Sequence, residues 1–513
     1  MTFKQYFLHD SACNMSEAVK SIMILFGMVE SDHSIKEESV LNTLPQSAVF
    51  VQNTSEKYNG VLSVVTKIYF WHNGHSIDSL SYKSSDNITA ENVTQTYKRL
   101  CKLNVLYIMR SITGLNPSPW GILRGVRPTK ITHRLIDQGL NKQLICEILT
   151  NDYAVNITKA ELVADIAFHQ RHFLPHHNSS KTISLYIGIP FCPSRCLYCS
   201  FPSYVLPEQE LVDKFLSALQ QDIEAVYALI NKHQLIVQNI YLGGGTPTSL
   251  SNKDFYQLLE LIKNRFYGSY TKEFTVEAGR PDSINNDKIS AMCSHNVTRV
   301  SVNPQSMQQK TLNRIGRTHT VQDIINVFGK IRQSGIPVVN MDVIIGLPGE
   351  TQKDVVDTMK QITALQPDNL TLHTLSLKKG SVLKTSLTSN QEDLLINTQS
   401  VQSMSEVVDE YAREMGMQPY YLYRQKYMMG NLENIGYARP GKECNYNIQI
   451  MEERQTIIGI GPAAGTKAVN VNTWSLQSCY NAKDLQSYIS NLDVYLGARD
   501  NLLTELLAKD GEE

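Results

Sequence analysis

Three cysteines, Cys192, Cys196 and Cys199, follow the apolar run Leu185–Ile189 in the order C-x-x-x-C-x-x-C. Thiolates so spaced on a loop can hold three irons of a [4Fe–4S] cube, because cysteine thiolates are the usual cluster ligands. The fourth iron then has no protein ligand and is open to an amine and a carboxylate, such as those of S-adenosylmethionine, whose sulfonium can accept an electron. A zinc knuckle is the competing reading, but it needs a fourth Cys or His nearby. The next histidine downstream is His233, a helix length away. Buried cysteines without chemistry are the other alternative.

Further residues could serve such a loop. Gly243-Gly244-Gly245-Thr246-Pro247 directly follows an apolar run; it is either an ordinary turn or a place where backbone approaches a ligand closely. Glu277 ends the run Phe274–Glu277 as a solvated cap or as a ribose or amine contact, and we favour the contact. Arg317 is a helix-end cation or a partner for a ligand carboxylate. Asp342 interrupts an apolar run, which is costly unless the carboxylate is partnered. Arg127, in the basic turn Arg124–Lys130, is solvated or clamps an anion. Tyr420-Tyr421-Leu422-Tyr423-Arg424-Gln425-Lys426-Tyr427 is a packed amphipathic strand or a surface for a flat, acidic ligand.

The elements that must position these residues repeat. β-rich apolar runs at Leu185–Ile189, Asn239–Leu242, Phe274–Glu277, Arg299–Val302, Val338–Ile344 and Leu370–Leu375 alternate with helical stretches. In the first of these, Leu211, Phe215, Leu219, Ile223, Val226 and Ile230 mark one face. Six βα units predict an incomplete barrel, and barrels of this kind carry their sites at the C-terminal ends of the strands. The Cys loop, Gly243–Gly245, Glu277 and Asp342 all fall there. Upstream, the sequence predicts an accessory region with a helix over Ser16–Phe26, strands at Ala48–Val51 and Val61–Trp71, and helices over His133–Thr150 and Lys159–Phe173. Downstream it predicts a helix over Gln391–Met415, a small-residue loop from Ile458 to Gly465, and a helical tail.

A chain of 513 residues exceeds one core, so two or three domains are expected. With 48 Lys+Arg against 49 Asp+Glu there is no basic excess for a nucleic-acid or anionic-membrane surface. The short run Ile22–Phe26 supports neither a signal peptide nor a membrane span. Nine cysteines, three clustered and six scattered, suit a reducing compartment, and a cytoplasmic location is expected.

The motif, with an aromatic before its last Cys, resembles the radical S-adenosylmethionine superfamily. Residues 180–500 resemble its oxygen-independent coproporphyrinogen III dehydrogenase family, and the whole length resembles the HemZ branch. The resemblance is carried by Tyr186–Phe201, Tyr241–Thr248, Gln305 with Arg317, Met341–Pro348, and Tyr423–Lys426 through Gly430–Tyr437. It implies an α/β fold: an incomplete (β/α)6 barrel over 176–384, an N-terminal accessory domain over 1–175, and a mostly helical C-terminal domain over 385–513 with possible substrate contacts. It also implies a [4Fe–4S] cluster on Cys192, Cys196 and Cys199. The S-adenosylmethionine contacts it implies are Tyr186, Tyr198, Gly243, Gly244, Gly245, Thr246, Glu277, Gln305, Arg317 and Asp342. Of these, Tyr186, Glu277 and Arg317 are the expected catalytic residues.

The activity so implied is removal of a hydrogen from a propionate β-carbon by a 5′-deoxyadenosyl radical, then loss of carbon dioxide and an electron. Two such events convert coproporphyrinogen III to protoporphyrinogen IX. A porphyrinogen or haem and an unidentified low-potential electron donor are the expected partners, with no nucleic acid. One position departs from the pattern: the dehydrogenases carry a further Cys two residues past the motif, where this chain has Phe201. The related haem chaperones share that Phe, so a haem-binding chaperone is the alternative expectation.

Overall fold

The structure is a computed structural model that describes residues 5–10, 16–30, 47–72, 75–89, 92–125, 127–174, 181–378, 380–387, 398–425 and 428–509. It divides into two compact units.

The first unit comprises Met1–Asp165 with Arg424–Lys426 and Gly430–Leu432. Its chain doubles back at Asn59–Gly60, where both residues have positive φ, 48° and 75°. That is the backbone a two-residue hairpin turn demands if its twist is to match the strands. The turn joins β3 (Ser47–Tyr58) to β4 (Val61–His72) in one long antiparallel ladder. With β1 (Gln5–Asp10), β2 (Val29–Glu30) and β5 (His75–Asn87) they form a sheet in the order β2-β1-β3-β4-β5. Alternate residues Val49 and Val51 share one face, as period-two side chains must. They are buried in one cluster with Val19 and Ile22 of α1 (Ser16–Met23) and with Leu106 and Met109 of α2 (Val93–Thr113).

The helix expected over His133–Thr150 is two helices, α3 (Pro128–Asp137) and α4 (Lys142–Tyr153). Gly139 at φ 82° takes the chain out of helical geometry between them. The side chain of Asn141 then starts α4 by accepting from the Leu144 N–H, which satisfies a donor the first turn leaves open. The next helix, α5 (Ile157–Gln170), begins two residues earlier than expected.

In the second unit the six expected runs are strands β6 (Thr182–Ile189), β9 (Ile236–Gly244), β10 (Glu273–Glu277), β11 (Arg299–Ser301), β12 (Val338–Ile345) and β13 (Asn369–Thr374). They lie side by side in chain order, every pair parallel. The first four connections run through α6 (Gln209–His233), α7 (Asn252–Phe266), α8 (Asn286–Ser294), and α9 (Gln309–Arg314) with α10 (Val321–Gln333). The fifth runs through α11 (Gln352–Leu365). Two short strands, β7 (Phe191–Cys192) and β8 (Tyr204–Val205), pair on their own around the Cys loop.

Five later strands extend this sheet. β14 (Gln418–Tyr423) and β15 (Asn434–Ala438) add antiparallel beyond β13. At the other edge β16 (Thr456–Ile460) lies parallel to β6, followed by β17 (Gly465–Val469) and β18 (Leu476–Tyr480). The apolar run before the small-residue loop is thus a seventh parallel strand. The eleven-stranded order is β14-β15-β13-β12-β11-β10-β9-β6-β16-β17-β18, and among the described residues no ladder joins its two ends. The C-terminal stretch is otherwise helical, with α13 (Thr398–Glu414), α14 (Asn445–Glu452), α15 (Leu485–Ser490) and α16 (Leu492–Lys509) following α12 (Val382–Leu387). Of the helix expected over Gln391–Met415, residues 391–397 lie outside the described residues. A fully buried ion pair ties α16 to α6: Arg499 Nη1 meets Asp222 Oδ1 at 2.6 Å, and Tyr488 and the Gly461 N–H donate to Oδ2 at 2.8 and 2.9 Å.

Candidate functional site

Strand β6 ends where the Cys loop begins, and its partner β9 ends in the glycines. Gly188 pairs with Gly243 and Ile189 with Gly244. The glycine turn then runs along the loop, with the Gly245 N–H on the Ile189 carbonyl and the Thr246 N–H on the Phe191 carbonyl, both at 2.7 Å. Gly244 has φ 107°, a region that side-chain-bearing residues rarely enter. At Gly245 a Cβ would stand 2.5 Å from the Phe191 carbonyl oxygen and 3.0 Å from Cys192 Sγ. The contact therefore requires glycine. Thr246 Oγ1 lies 3.5 Å from that same sulfur.

The three thiols are partly exposed. Burial pushes those of Cys192 and Cys199 up, and coordination to a metal is what would force them to thiolate. Among the described residues no three His, Cys, Asp or Glu gather as ligands of a single ion. Thiolates on three separate corners of a cluster do not need to meet at one point. The loop is anchored on its far side, where the Leu197 N–H donates to Ile315 O at 3.0 Å and Arg317 Nη2 donates to Tyr198 Oη at 3.3 Å.

Glu277 closes β10 beside the glycines. Tyr241 Oη donates to its Oε1 at 2.5 Å and the Gly244 N–H to its Oε2 at 3.2 Å. Burial pushes this carboxyl up to about 7; those two bonds pull against the rise, and the charge of Asp342 adds to it. Burial works against Asp342 as well. There His373 Nε2 at 3.5 Å and the Asn340 amide at 2.7 Å outweigh it, so the carboxyl stays below its usual range. Two neighbouring carboxyls driven in opposite directions can play different roles, one neutral and one charged near pH 7.

Gln305 bridges this group to β12. Its N–H donates to Asp342 O at 2.9 Å, and it holds φ 65°, which is uncommon for a residue with a side chain. Among the described residues, three buried polar atoms here find no hydrogen-bond partner: Gln305 Oε1, Asn303 Oδ1 and Arg317 Nε. Such atoms are costly to leave bare. A polar ligand seated between the Cys loop and the ends of β10–β12 would satisfy them, so the residues present fit S-adenosylmethionine beside a three-cysteine cluster.

The structure thus gathers Gly243, Gly244, Gly245, Thr246 and Glu277 with Cys192, pairs Tyr198 with Arg317, and sets Gln305 on Asp342. Tyr186 joins through its ring, 6.1 Å from Tyr241 and 6.4 Å from Tyr446 in a stacked row. Arg424 falls on the packed side of the two alternatives left open for its segment. Its guanidinium donates to the carbonyls of Leu123, Leu432 and Asn431 and lies over the Trp120 ring, all within the first unit. It is a buried packing cation, 6% exposed, with all three of its nitrogens engaged by backbone carbonyls. Lys426 and Tyr427 lie outside the described residues, and Arg127 stands at the N-terminus of α3 in the first unit. Sequence reasoning missed Tyr241, Asn303, His373 and Arg280. His373 carried the signal already used for Asp342, a titratable residue in an apolar strand.

Residues 186–362 match the family model described as the radical SAM superfamily. The chain is 37% identical to the oxygen-independent coproporphyrinogen-III oxidase-like protein HemZ of Bacillus subtilis, over 83% of this chain and 85% of that one. It is 30% identical to the heme chaperone HemW of the same organism, over 56% of this chain and 73% of that one. Among solved structures, coproporphyrinogen III oxidase (HemN) from Escherichia coli, a radical SAM enzyme, is similar with a TM-score of 0.52 and 22% identity, over 64% of this chain and 73% of that one. At that identity the likeness speaks for the fold.

Proposed function

The chain belongs to the family of the oxygen-independent coproporphyrinogen-III oxidase-like protein HemZ, within the radical SAM superfamily, and from that premise we propose that it oxidises two propionates of coproporphyrinogen III to vinyl groups without oxygen. The family's cofactors are a [4Fe–4S] cluster and S-adenosylmethionine. Cys192, Cys196 and Cys199 would hold the first; Tyr198, Gly244, Gly245, Thr246, Glu277, Gln305, Arg317 and Asp342 would hold the second. When bound, the pair supplies a carbon radical able to take a hydrogen atom from an unactivated C–H bond.

The observation that carries this reading is the set of unpartnered polar atoms on Gln305, Asn303 and Arg317, gathered with two oppositely shifted carboxyls beside three thiols. The protein's own part is positioning. Asp342, held charged by His373, and Glu277, oriented by Tyr241, fix the ligand's polar groups, and the glycine turn lets it approach the loop. Each propionate loses a β-hydrogen atom, carbon dioxide and one further electron, which passes to an acceptor. Arg195, exposed and donating to the Gly380 carbonyl at 3.0 Å, and Lys378, whose ammonium burial holds below its usual range while Cys199 nearby pulls the other way, are cations near the loop that would meet propionates.

Haem delivery is the second reading. Phe201 occupies the place of the dehydrogenases' extra Cys and is 66% exposed, and the HemW likeness supports it. Anaerobic incubation of cluster-loaded protein with coproporphyrinogen III, S-adenosylmethionine, reductant and an electron acceptor separates the two. A mass loss of one formic-acid equivalent per propionate supports the oxidase. Intact porphyrinogen together with stoichiometric haem binding supports the chaperone.

A further inference from the structure

Arg280 was not expected to bear on the site, yet it is only 3% exposed and faces the Cys loop. Its Nη1 donates to Ser194 O at 3.2 Å and lies 3.7 Å from Cys196 Sγ, while Nη2 donates to Ser194 Oγ at 2.9 Å. Asp282 takes the remaining edge, accepting from Nε at 3.0 Å and from Nη2 at 2.8 Å. Asp282 is held in turn by Thr318 Oγ1 at 3.2 Å and by His319 Nδ1 at 3.6 Å. The carboxylate therefore leaves Nη1 for the sulfur. The ion pair is a fixed dipole with its positive end on the loop.

We propose that Arg280 is a positioning residue for the iron–sulfur group: it clamps the Ser194–Cys196 turn and raises the cluster's reduction potential by a charge-assisted bond to the Cys196 sulfur. Reduction adds a negative charge to the cluster. A buried cation at hydrogen-bond range stabilises that charge more than it stabilises the oxidised state, and away from water the effect is strong. Outer-shell donors are a recognised means of tuning a metal site. Of the other cations near the loop, Arg317 also interacts with the Cys196 sulfur while its Nη2 donates to Tyr198 Oη, and Arg195 Nη2 donates to the Gly380 carbonyl. The proposal rests on the cluster reading above and is independent of which substrate is turned over.

The test is a potentiometric titration, followed by electron paramagnetic resonance, on full-length protein reconstituted anaerobically. Arg280→Gln keeps a donor for Ser194 and loses the charge. It should retain about four iron per chain while its reduced-to-oxidised ratio at the wild-type midpoint falls about tenfold, equivalent to about 59 mV for one electron. Arg280→Lys should stay close to wild type. Asp282→Asn strips the counter-charge from Arg280 and should move the midpoint the other way, toward more positive potential. A fully loaded Arg280→Gln protein with an unmoved midpoint overturns the proposal. If that variant loses its iron, Asp282→Asn decides: a positive shift supports the proposal and no shift overturns it. Wild-type protein that takes up no cluster would instead remove the cofactor reading itself.

Discussion

The carboxyl of Glu277 gives the site a pH dependence that can be worked through. With its value near 7 in the ligand-free protein, the group must lose a proton before it can accept hydrogen bonds from S-adenosylmethionine on both oxygens. Affinity then weakens by a factor of 1 plus ten to the power (7 − pH), which is about 1.1 at pH 8 and about 11 at pH 6. Calorimetric titration of cluster-loaded protein should therefore show about tenfold weaker binding at pH 6 than at pH 8, and the change should vanish in Glu277→Gln. The ligand's own amine titrates the same way against both proteins and cancels in their ratio.

Tyr241→Phe removes a bond that lowers the carboxyl. The midpoint of the profile should move from about 7 to about 8, since a charge-assisted hydrogen bond is worth about 1.5 kcal/mol. A stability effect accompanies this with the opposite sign. A carboxyl raised from 4.5 to about 7 contributes stability that is fully present below 4.5 and is lost as the pH climbs through 7, about 3 kcal/mol in all. Glu277→Gln escapes that loss, so without ligand it should gain on the wild type as the pH rises. A wild-type affinity that is flat from pH 6 to 8, or a slope that persists in Glu277→Gln, would refute the reasoning.

Anaerobic reconstitution should load about four iron and four sulfide per chain, and Cys196→Ala should lose them; tight zinc in freshly isolated protein would contradict this. Arg424→Ala should destabilise the first unit by about 3 kcal/mol or more, because three carbonyls lose a charged donor. An unchanged melting temperature with a raised KM for porphyrinogen would return Arg424 to the substrate. Arg499→Ala leaves Asp222 charged and buried, which should cost about 3–5 kcal/mol; thermal unfolding within a degree of wild type would show the pair to be dispensable.

The six parallel strands were legible because a strand covered on both faces reads as a plain apolar run, and the helices between them showed one apolar face. β16 was legible only as a run, since nothing in Thr456–Ile460 says that its partner is β6. In the first unit the Asn59–Gly60 pair was a hairpin signal standing directly before the strand read from Val61. β5 was missed because Ser, Asp and Lys fill its sequence, as suits a strand with much of its length exposed. The Tyr420–Tyr427 segment shows the limit on the site side. Aromatics interleaved with cations describe a packed strand and a ligand surface equally well, and the carbonyls around Arg424 speak for packing at that one residue. Arg280 was invisible for a related reason: its partner sulfur lies 84 residues upstream.

The pairing of β6 with β16 bears on how the protein is made. Ser184 on β6 and Gln455 just before β16 are 271 residues apart, and a ribosome adding 5–20 residues per second takes roughly 15–50 s to cover that interval. Throughout it, the strand that leads into the Cys loop has one row of peptide groups without a partner, the kind of border that recruits other chains. Iron delivered early would meet a loop whose foundation is half laid. Assembly in the cell therefore has an order written into the topology, with translation nearly complete before metallation can be productive, and a chain cut short of Thr456 should come out of synthesis aggregated and without iron.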